Sequence, residues 1–241
     1  MIRTILAFLY VAIAMVCLIP IGFIPMLLYL LGLRKSMSHI IYRLAQSWAL
    51  SIIKITGAKI TVSGTENIQR KGGVCFVSNH CGYFDIVLFL AYSGRPFGFV
   101  AKKELAMIPF LNFWIYILGG LFLDRGNVRK AIRTMSKGAK RIKKGSAMVI
   151  FPEGSRSRGR GLLPFHLGSL KLATMAEAPI VPVAIEGSYD VFEKTYRVVS
   201  APVKITFLPP IDTANLPREE RKRILADRIY EVIKEELTGN S

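Results

Sequence analysis

Residues 4–33 form a run of thirty without a charged side chain. A helix needs roughly 20 apolar residues to cross a bilayer. Pro20, Gly22 and Pro25 interrupt the run, and proline removes a backbone donor and clashes with the preceding turn. The pattern therefore predicts a helix over 4–19, a kink, and a short second piece ending near Leu33. Residues 36–56 predict another helix. Ile40, Leu44, Trp48 and Ile52 recur every four residues, whereas Arg43, Gln46 and Lys54 are polar. Such a helix suits either a membrane interface, with Trp48 at headgroup level, or packing on a neighbouring domain.

After Gly57 the texture changes. Short β-rich runs at 59–63, 73–78, 97–101, 147–151, 180–185 and 203–207 read as strands. Residues 85–92, 127–144, 167–176 and 218–237 read as helices. This alternation predicts an α/β fold, a largely parallel mixed sheet flanked by helices. The organisation is then a membrane-associated helical segment over 1–56 and an α/β domain over 57–241.

Composition sharpens the picture. Half of the 241 residues are hydrophobic (51%), and the mean hydropathy is +0.38, high for a soluble globular chain. There are 33 basic and 16 acidic residues, a net charge of +17, which favours anionic partners. Basic residues flank the apolar run on both sides, Arg3 before it and Arg34 and Lys35 after it, so charge bias sets no orientation. The run either spans the membrane once or dips into one leaflet and returns with both ends cytoplasmic. Cleavage as a signal peptide fits poorly, because Ala12-Ile13-Ala14 lies inside the apolar run. Cys17, Cys75 and Cys81 give no disulfide framework, which favours a site facing the reducing cytoplasm. His39, His80 and His166 are too scattered for zinc spacing, and no metal is expected.

The first chemical signal is Ser78-Asn79-His80-Cys81-Gly82-Tyr83-Phe84-Asp85, between a strand and a helix. Five residues along an ideal helix turn about 500°, so His80 and Asp85 do not meet on one. They meet if His80 lies in the loop and Asp85 in the first helical turn, with Gly82 permitting the tight bend. A histidine with a carboxylate partner is the base-and-orienter half of a catalytic triad. The competing reading is a loop histidine beside an ordinary helix-start aspartate. Cys81 adjoins His80, so its side chain diverges, and it reads as structural.

Three further blocks place cations near turns: Lys102-Lys103-Glu104-Leu105 through Pro109, Gly119 to Arg125, and Phe151-Pro152-Glu153-Gly154-Ser155-Arg156. Arginine offers a planar fork for phosphate oxygens, and Gly154 allows backbone N–H groups to approach an anion. Taken singly, each block is equally a solvated loop. Between Arg125 and Lys171 there are thirteen Lys or Arg and one Glu. The helix over 127–144 carries Lys130, Arg133, Lys137, Lys140 and Lys144 on one side and Val128, Ile132, Met135, Ala139 and Ile142 on the other. Its basic face suits anionic lipid, an acidic carrier protein or solvent.

These blocks, in this order and joined by Ile180-Val181-Pro182-Val183, resemble the 1-acylglycerol-3-phosphate acyltransferase family over roughly 57–207. His80 to Asp85 is similar to its first motif and Phe151 to Arg156 to its third. The resemblance implies acyl transfer from acyl-CoA or acyl-carrier protein to the 2-hydroxyl of lysophosphatidic acid at a membrane, without a cofactor. Glycerol 3-phosphate or another lysophospholipid is the alternative acceptor. It implies His80 as general base, Asp85 as its partner, and Lys103, Arg125 and Arg156 as phosphate ligands. Glu153, Gly154 and Ser155 would shape the acceptor site, and Pro182 the acyl-binding wall. His166 departs from the pattern, standing where a lysine is expected after Pro-Phe. A hydrolase with Ser155 as nucleophile lacks the G-x-S-x-G elbow. A nucleic-acid partner has only the net charge in its favour, since no stacking aromatics interleave the basic run.

Overall fold

The computed structural model describes residues 1–30, 34–213 and 221–239. The expected end of the second N-terminal piece (31–33) and the expected start of the last helix (218–220) lie outside them.

Helix α1 (Ile2–Cys17) is followed after Leu18 by α2 (Ile19–Leu30). Pro20 has no N–H to donate and sits in the first turn of α2, where its missing donor is tolerated. The break is therefore slight. Pro25, one of the three residues expected to interrupt the run, lies inside α2. Residues Ile2–Ile24 form a stretch long and apolar enough to cross a membrane by length and composition. Its outer side exposes Ile5, Leu6, Leu9, Ile13, Val16, Phe23 and Ile24. Its inner side is fastened to the rest of the chain. The Val198 amide donates to Thr4 Oγ at 2.9 Å, Phe8 meets Phe192 edge-on at 5.0 Å, and Trp114 Nε1 donates to the Met15 carbonyl at 3.1 Å.

Helix α3 (Arg34–Thr56) takes the packing alternative for residues 36–56: Tyr42, Ala45, Ala49, Ile52 and Ile53 are core residues. The strands are β1 (Lys59–Ser63), β2 (Val74–Ser78), β3 (Phe97–Lys102), β4 (Leu121–Leu123), β5 (Ala147–Ile150), β6 (Ile180–Glu186) and β7 (Pro202–Phe207). Among the described residues they form one sheet in the order β1-β7-β6-β2-β5-β3-β4. Every pairing is parallel except β6 with β7. The connecting helices are α4 (Phe84–Tyr92), α5 (Leu111–Ile117), α6 (Val128–Lys143), α7 (Lys171–Ala176) and α8 (Arg221–Thr238).

Strands β2, β5 and most of β6 are wholly buried, as expected of parallel strands covered on both faces. Alternation divides their side chains. Val74, Phe76, Ala147 and Val149 join α3 and α4 in one core, whereas Cys75, Val77, Met148 and Ile150 join α6, α7 and α8 in the other. The N-terminal helices thus lie on one face of the sheet and α6 on the opposite face. Two elements escaped the sequence pattern, α5 and β4. A seven-residue helix and a three-residue strand are too short to show a period.

Candidate active site

Parallel strands deliver the loops after their carboxyl ends to one rim, where α/β sheets build sites. His80 follows β2, Lys103 follows β3, Arg125 follows β4, Glu153 to Arg156 follow β5, and Ser188 follows β6. Residues scattered over more than a hundred positions converge because these strands run side by side.

His80 stands in the loop and Asp85 in the first turn of α4. Asp85 is fully buried, and its Oδ2 accepts from His80 Nδ1 at 2.6 Å, from the Cys81 amide at 2.8 Å and from the Gly82 amide at 3.1 Å. Its Oδ1 accepts from the Ser188 hydroxyl. A carboxylate only accepts, so the imidazole proton sits on Nδ1 and the Nε2 lone pair remains available as a base. The His80 side chain is 20% exposed. Its ring stacks on Phe151 with centroids 4.2 Å apart, which fixes the ring plane. Asn79 secures the loop from below, donating to the Ile185 carbonyl and accepting the Ile185 amide, both at 2.8 Å.

The loop after β5 is zipped onto the same backbone. Glu153 Oε1 accepts the His80 amide at 2.8 Å, the Ser157 amide donates to the His80 carbonyl at 2.7 Å, and the Arg158 amide to the Cys81 carbonyl at 3.3 Å. Gly154 takes φ +69°, and a Cβ there would lie 3.0 Å from His166 and 3.1 Å from Arg125, so only glycine makes this turn without strain. The Gly154 amide donates to the Phe151 carbonyl at 3.1 Å, and its carbonyl accepts from Arg125.

Arg156 lies on the other side, paired with Glu193 Oε1 and held 3.6 Å from the centre of the Tyr83 ring. Glu193 is buried, and its Oε2 accepts the Tyr83 amide at 2.5 Å. Gly82 makes room for this carboxylate: a Cβ there would lie 2.4 Å from Glu193 Oε2. Neither Ser188 nor Glu193 was foreseen. Both follow β6 in a short turn of no recognisable motif, and only the strand order brings them to His80. Lys103 is exposed and pairs with Asp124 at 3.0 Å, the residue before Arg125. Pro182 is paired within β6 to Val77 and does not line the apolar cavity described below.

Two nucleophile candidates lose their case. Cys81 Sγ donates to the Ile185 carbonyl at 3.2 Å. Burial, reinforced by the Asp85 and Glu153 carboxylates, pushes its thiol far above the usual range. Ser155 is exposed, and among the described residues no serine hydroxyl hydrogen-bonds to His80.

Behind Tyr83, Ser188 and Glu193 opens a cavity of about 530 Å³, in the range of ligand pockets. Ala7, Val11 and Met15 of α1, Ala45 and Trp48 of α3, Val87 and Leu90 of α4 and Trp114 of α5 line it. Its wall belongs to both the N-terminal helices and the α/β part.

Burial pushes the Glu153 carboxyl up to about 7, and its Oε2 is buried without a partner. Its ordinary value is 4.5, so between these limits the folded chain holds a proton that the unfolded chain has released. Stability must therefore fall as pH rises through this window, by about 3 kcal/mol in all from this group. Glu153→Gln keeps the acceptor for the His80 amide and copies the neutral acid. Its unfolding free energy, relative to wild type, is expected to rise from pH 5 to pH 8 by that order. A pH-independent difference between the two proteins would refute the shift.

A histidine oriented by a buried carboxylate, cations on either side and an apolar cavity behind are the parts of a site that moves an acyl chain onto a charged acceptor. The chain belongs to the acyltransferase family, whose model matches residues 59–186. Among its relatives are the 1-acyl-sn-glycerol-3-phosphate acyltransferases. It is 33% identical over 171 residues to that of Borreliella burgdorferi, covering 70% of this chain and 68% of the relative. It is 32% identical over 171 residues to that of Escherichia coli, covering 70% and 69%. The crystal structure of the 1-acyl-sn-glycerophosphate (LPA) acyltransferase of Thermotoga maritima superposes with a TM-score of 0.81 at 27% identity, covering 99% of this chain and 96% of the other.

Proposed function

We propose that this enzyme transfers a fatty acyl group from a thioester donor, acyl-CoA or acyl-carrier protein, to the 2-hydroxyl of 1-acylglycerol 3-phosphate, forming phosphatidic acid. The observation that carries the reading is the His80–Asp85 pair with Nε2 open at the rim. His80 Nε2 takes the hydroxyl proton as the oxygen attacks the thioester carbonyl. The tetrahedral intermediate collapses, the carbon–sulfur bond breaks, and the thiolate leaves and recovers the proton from the imidazolium. Asp85 stabilises that imidazolium. The hydroxyl belongs to the substrate, so no acyl-enzyme forms. Arg125, Arg156 and Lys103 supply the charges that hold the acceptor phosphate, which places its hydroxyl near His80 and lowers the entropic barrier. The cavity behind Tyr83 takes an acyl chain.

The exposed apolar row of α1 and α2 lies in lipid, at a membrane whose cytoplasmic side the site faces. Because α1 is pinned along its inner side by Thr4, Phe8 and Met15, we favour immersion in one leaflet over a free-standing span. Immersion keeps the site at headgroup level, where the acceptor resides.

The test is acyl transfer by purified enzyme in detergent, wild type against His80→Ala. Acceptors are lysophosphatidic acid, glycerol 3-phosphate and lysophosphatidylcholine. Phosphatidic acid made by the wild type from lysophosphatidic acid and lost in the variant is the expected result. Transfer that survives His80→Ala refutes the base, and transfer only to another acceptor refutes the substrate.

A further inference from the structure

A second recess lies where β4 leaves the sheet and α6 begins. It holds about 270 Å³ and is lined by Lys103, Phe122, Asp124, Lys130, Arg133, Thr134 and Lys137. Three cations of α6 thus face the Lys103–Asp124 pair. That carboxylate is already engaged, Asp124 Oδ1 accepting from Lys103 at 3.0 Å and from the Gly126 amide at 3.1 Å. Among the described residues no acid pairs with Lys130, Arg133 or Lys137. Spaced i, i+3 and i+7, they share one side of α6. The helix is not free to turn that side away. Met135, Ala139 and Ile142 are core residues, a Cβ on Gly138 would lie 2.3 Å from Leu172, and Thr134 Oγ donates to the Phe122 carbonyl at 3.3 Å. The fold therefore holds like charges together in a recess, where they repel one another unless an anion enters.

We infer that this groove binds the 3′-phosphate and diphosphate of a coenzyme A thioester, and so selects acyl-CoA as donor. The inference deepens the acyl-transfer reading and rests on it for the role of the bound thioester. Three observations favour this anion. The charge excess suits several phosphoryl groups better than the single phosphate of a lysolipid. The recess admits phosphates, whereas a carrier-protein helix is about 10 Å across. And α6 packs on the sheet face opposite the N-terminal helices with their exposed apolar row, the side that a soluble donor reaches without crossing that row. The route to the reacting atoms is short in the chain. Asp124 lines the groove, and the next residue, Arg125, donates to the carbonyl of Gly154, beside the Glu153 that holds the His80 amide. The pantetheine arm follows this rim to bring the thioester to His80.

The test uses the full-length enzyme and the variant Lys130→Gln/Arg133→Gln/Lys137→Gln, whose three sites are exposed. Adenosine 3′,5′-bisphosphate is titrated calorimetrically, and KM is measured for an acyl-CoA, for the matching acyl-pantetheine and for the acceptor. The dissociation constant of the nucleotide and the KM for acyl-CoA are both expected to rise about tenfold or more, as the loss of three exposed charge contacts implies. The KM values for acyl-pantetheine and acceptor are expected to stay unchanged. Unchanged nucleotide binding overturns the inference, whatever the turnover assay shows. A rise in acceptor KM in place of the donor's gives the groove to the acceptor phosphate. Loss of activity with acyl-carrier protein while acyl-CoA is unaffected gives it to an acidic protein. Either result overturns the assignment. Nucleotide binding that weakens in the variant of an enzyme inactive towards lysophosphatidic acid keeps the groove and refutes only the acceptor.

Discussion

Asp85→Asn is expected to lower kcat by about 10³–10⁴-fold and to leave the acceptor KM within a few-fold of wild type. The carboxylate has two duties towards His80. It accepts the Nδ1 proton at 2.6 Å, which leaves Nε2 as the base, and it offsets the positive charge that His80 gains in the transition state. An asparagine amide turned towards Nδ1 donates instead of accepting, drives the proton to Nε2 and removes the lone pair that the reaction needs. Neither duty bears on the phosphate, which is why KM stays. Initial rates at saturating donor across a range of acceptor concentrations decide the matter. A variant that turns over at the wild-type rate removes Asp85 from the reaction. A large rise in acceptor KM makes it part of the binding site.

Arg156→Lys is expected to raise the acceptor KM by about 10–100-fold while changing kcat little. A lysine keeps the charge but loses the planar fork that pairs phosphate oxygens, and hydrogen bonds to charged groups contribute about 1.5–3 kcal/mol each. Lysine is the chosen replacement because Arg156 also neutralises the buried Glu193. Removing the cation outright would strand a buried carboxylate, at a cost of about 3–5 kcal/mol in stability. Arginine has five N–H donors, so the pair with Glu193 leaves others to face a ligand. Glu193→Gln in the same background separates the two roles: it releases the introduced ammonium from its carboxylate partner without restoring the fork, so KM should stay high. A KM that recovers in the double variant would make an unpaired positive charge, and not the fork, the quantity that matters. A rise confined to the donor KM would move Arg156 to the thioester.

Much of this was legible beforehand because it is local. The helix ends near 56, 92 and 143 and most strand limits follow from period and from turn residues. The Asn127 start was nearly right: its side chain accepts the Lys130 amide at 3.0 Å and caps α6. The meeting of His80 with Asp85 was also readable, because five residues and one glycine leave few ways to join a loop to a helix start. What escaped is non-local. Ser188 and Glu193 act on residues 103 and 37 positions away, and no spacing rule reaches so far. The use of the Gly154 amide escaped for the same reason, since it depends on how the whole loop folds back on Phe151. The seat of Pro182, opposite Val77 within the sheet, likewise depends on strand pairing.

Residue types and their periodicity were enough for an α/β domain with an apolar N-terminal segment and a histidine–aspartate pair, and the order of four motifs for the resemblance to the acyltransferases. Those properties are carried by short stretches of chain, where chemistry and geometry are set by near neighbours. The order of the strands, with β2 between β5 and β6, is written in no single stretch. It follows from which buried faces pack together. That order brings the loop after β5 and the turn after β6 to either side of His80. It also closes the α1 and α3 helices over an apolar cavity and leaves the basic side of α6 on the opposite face.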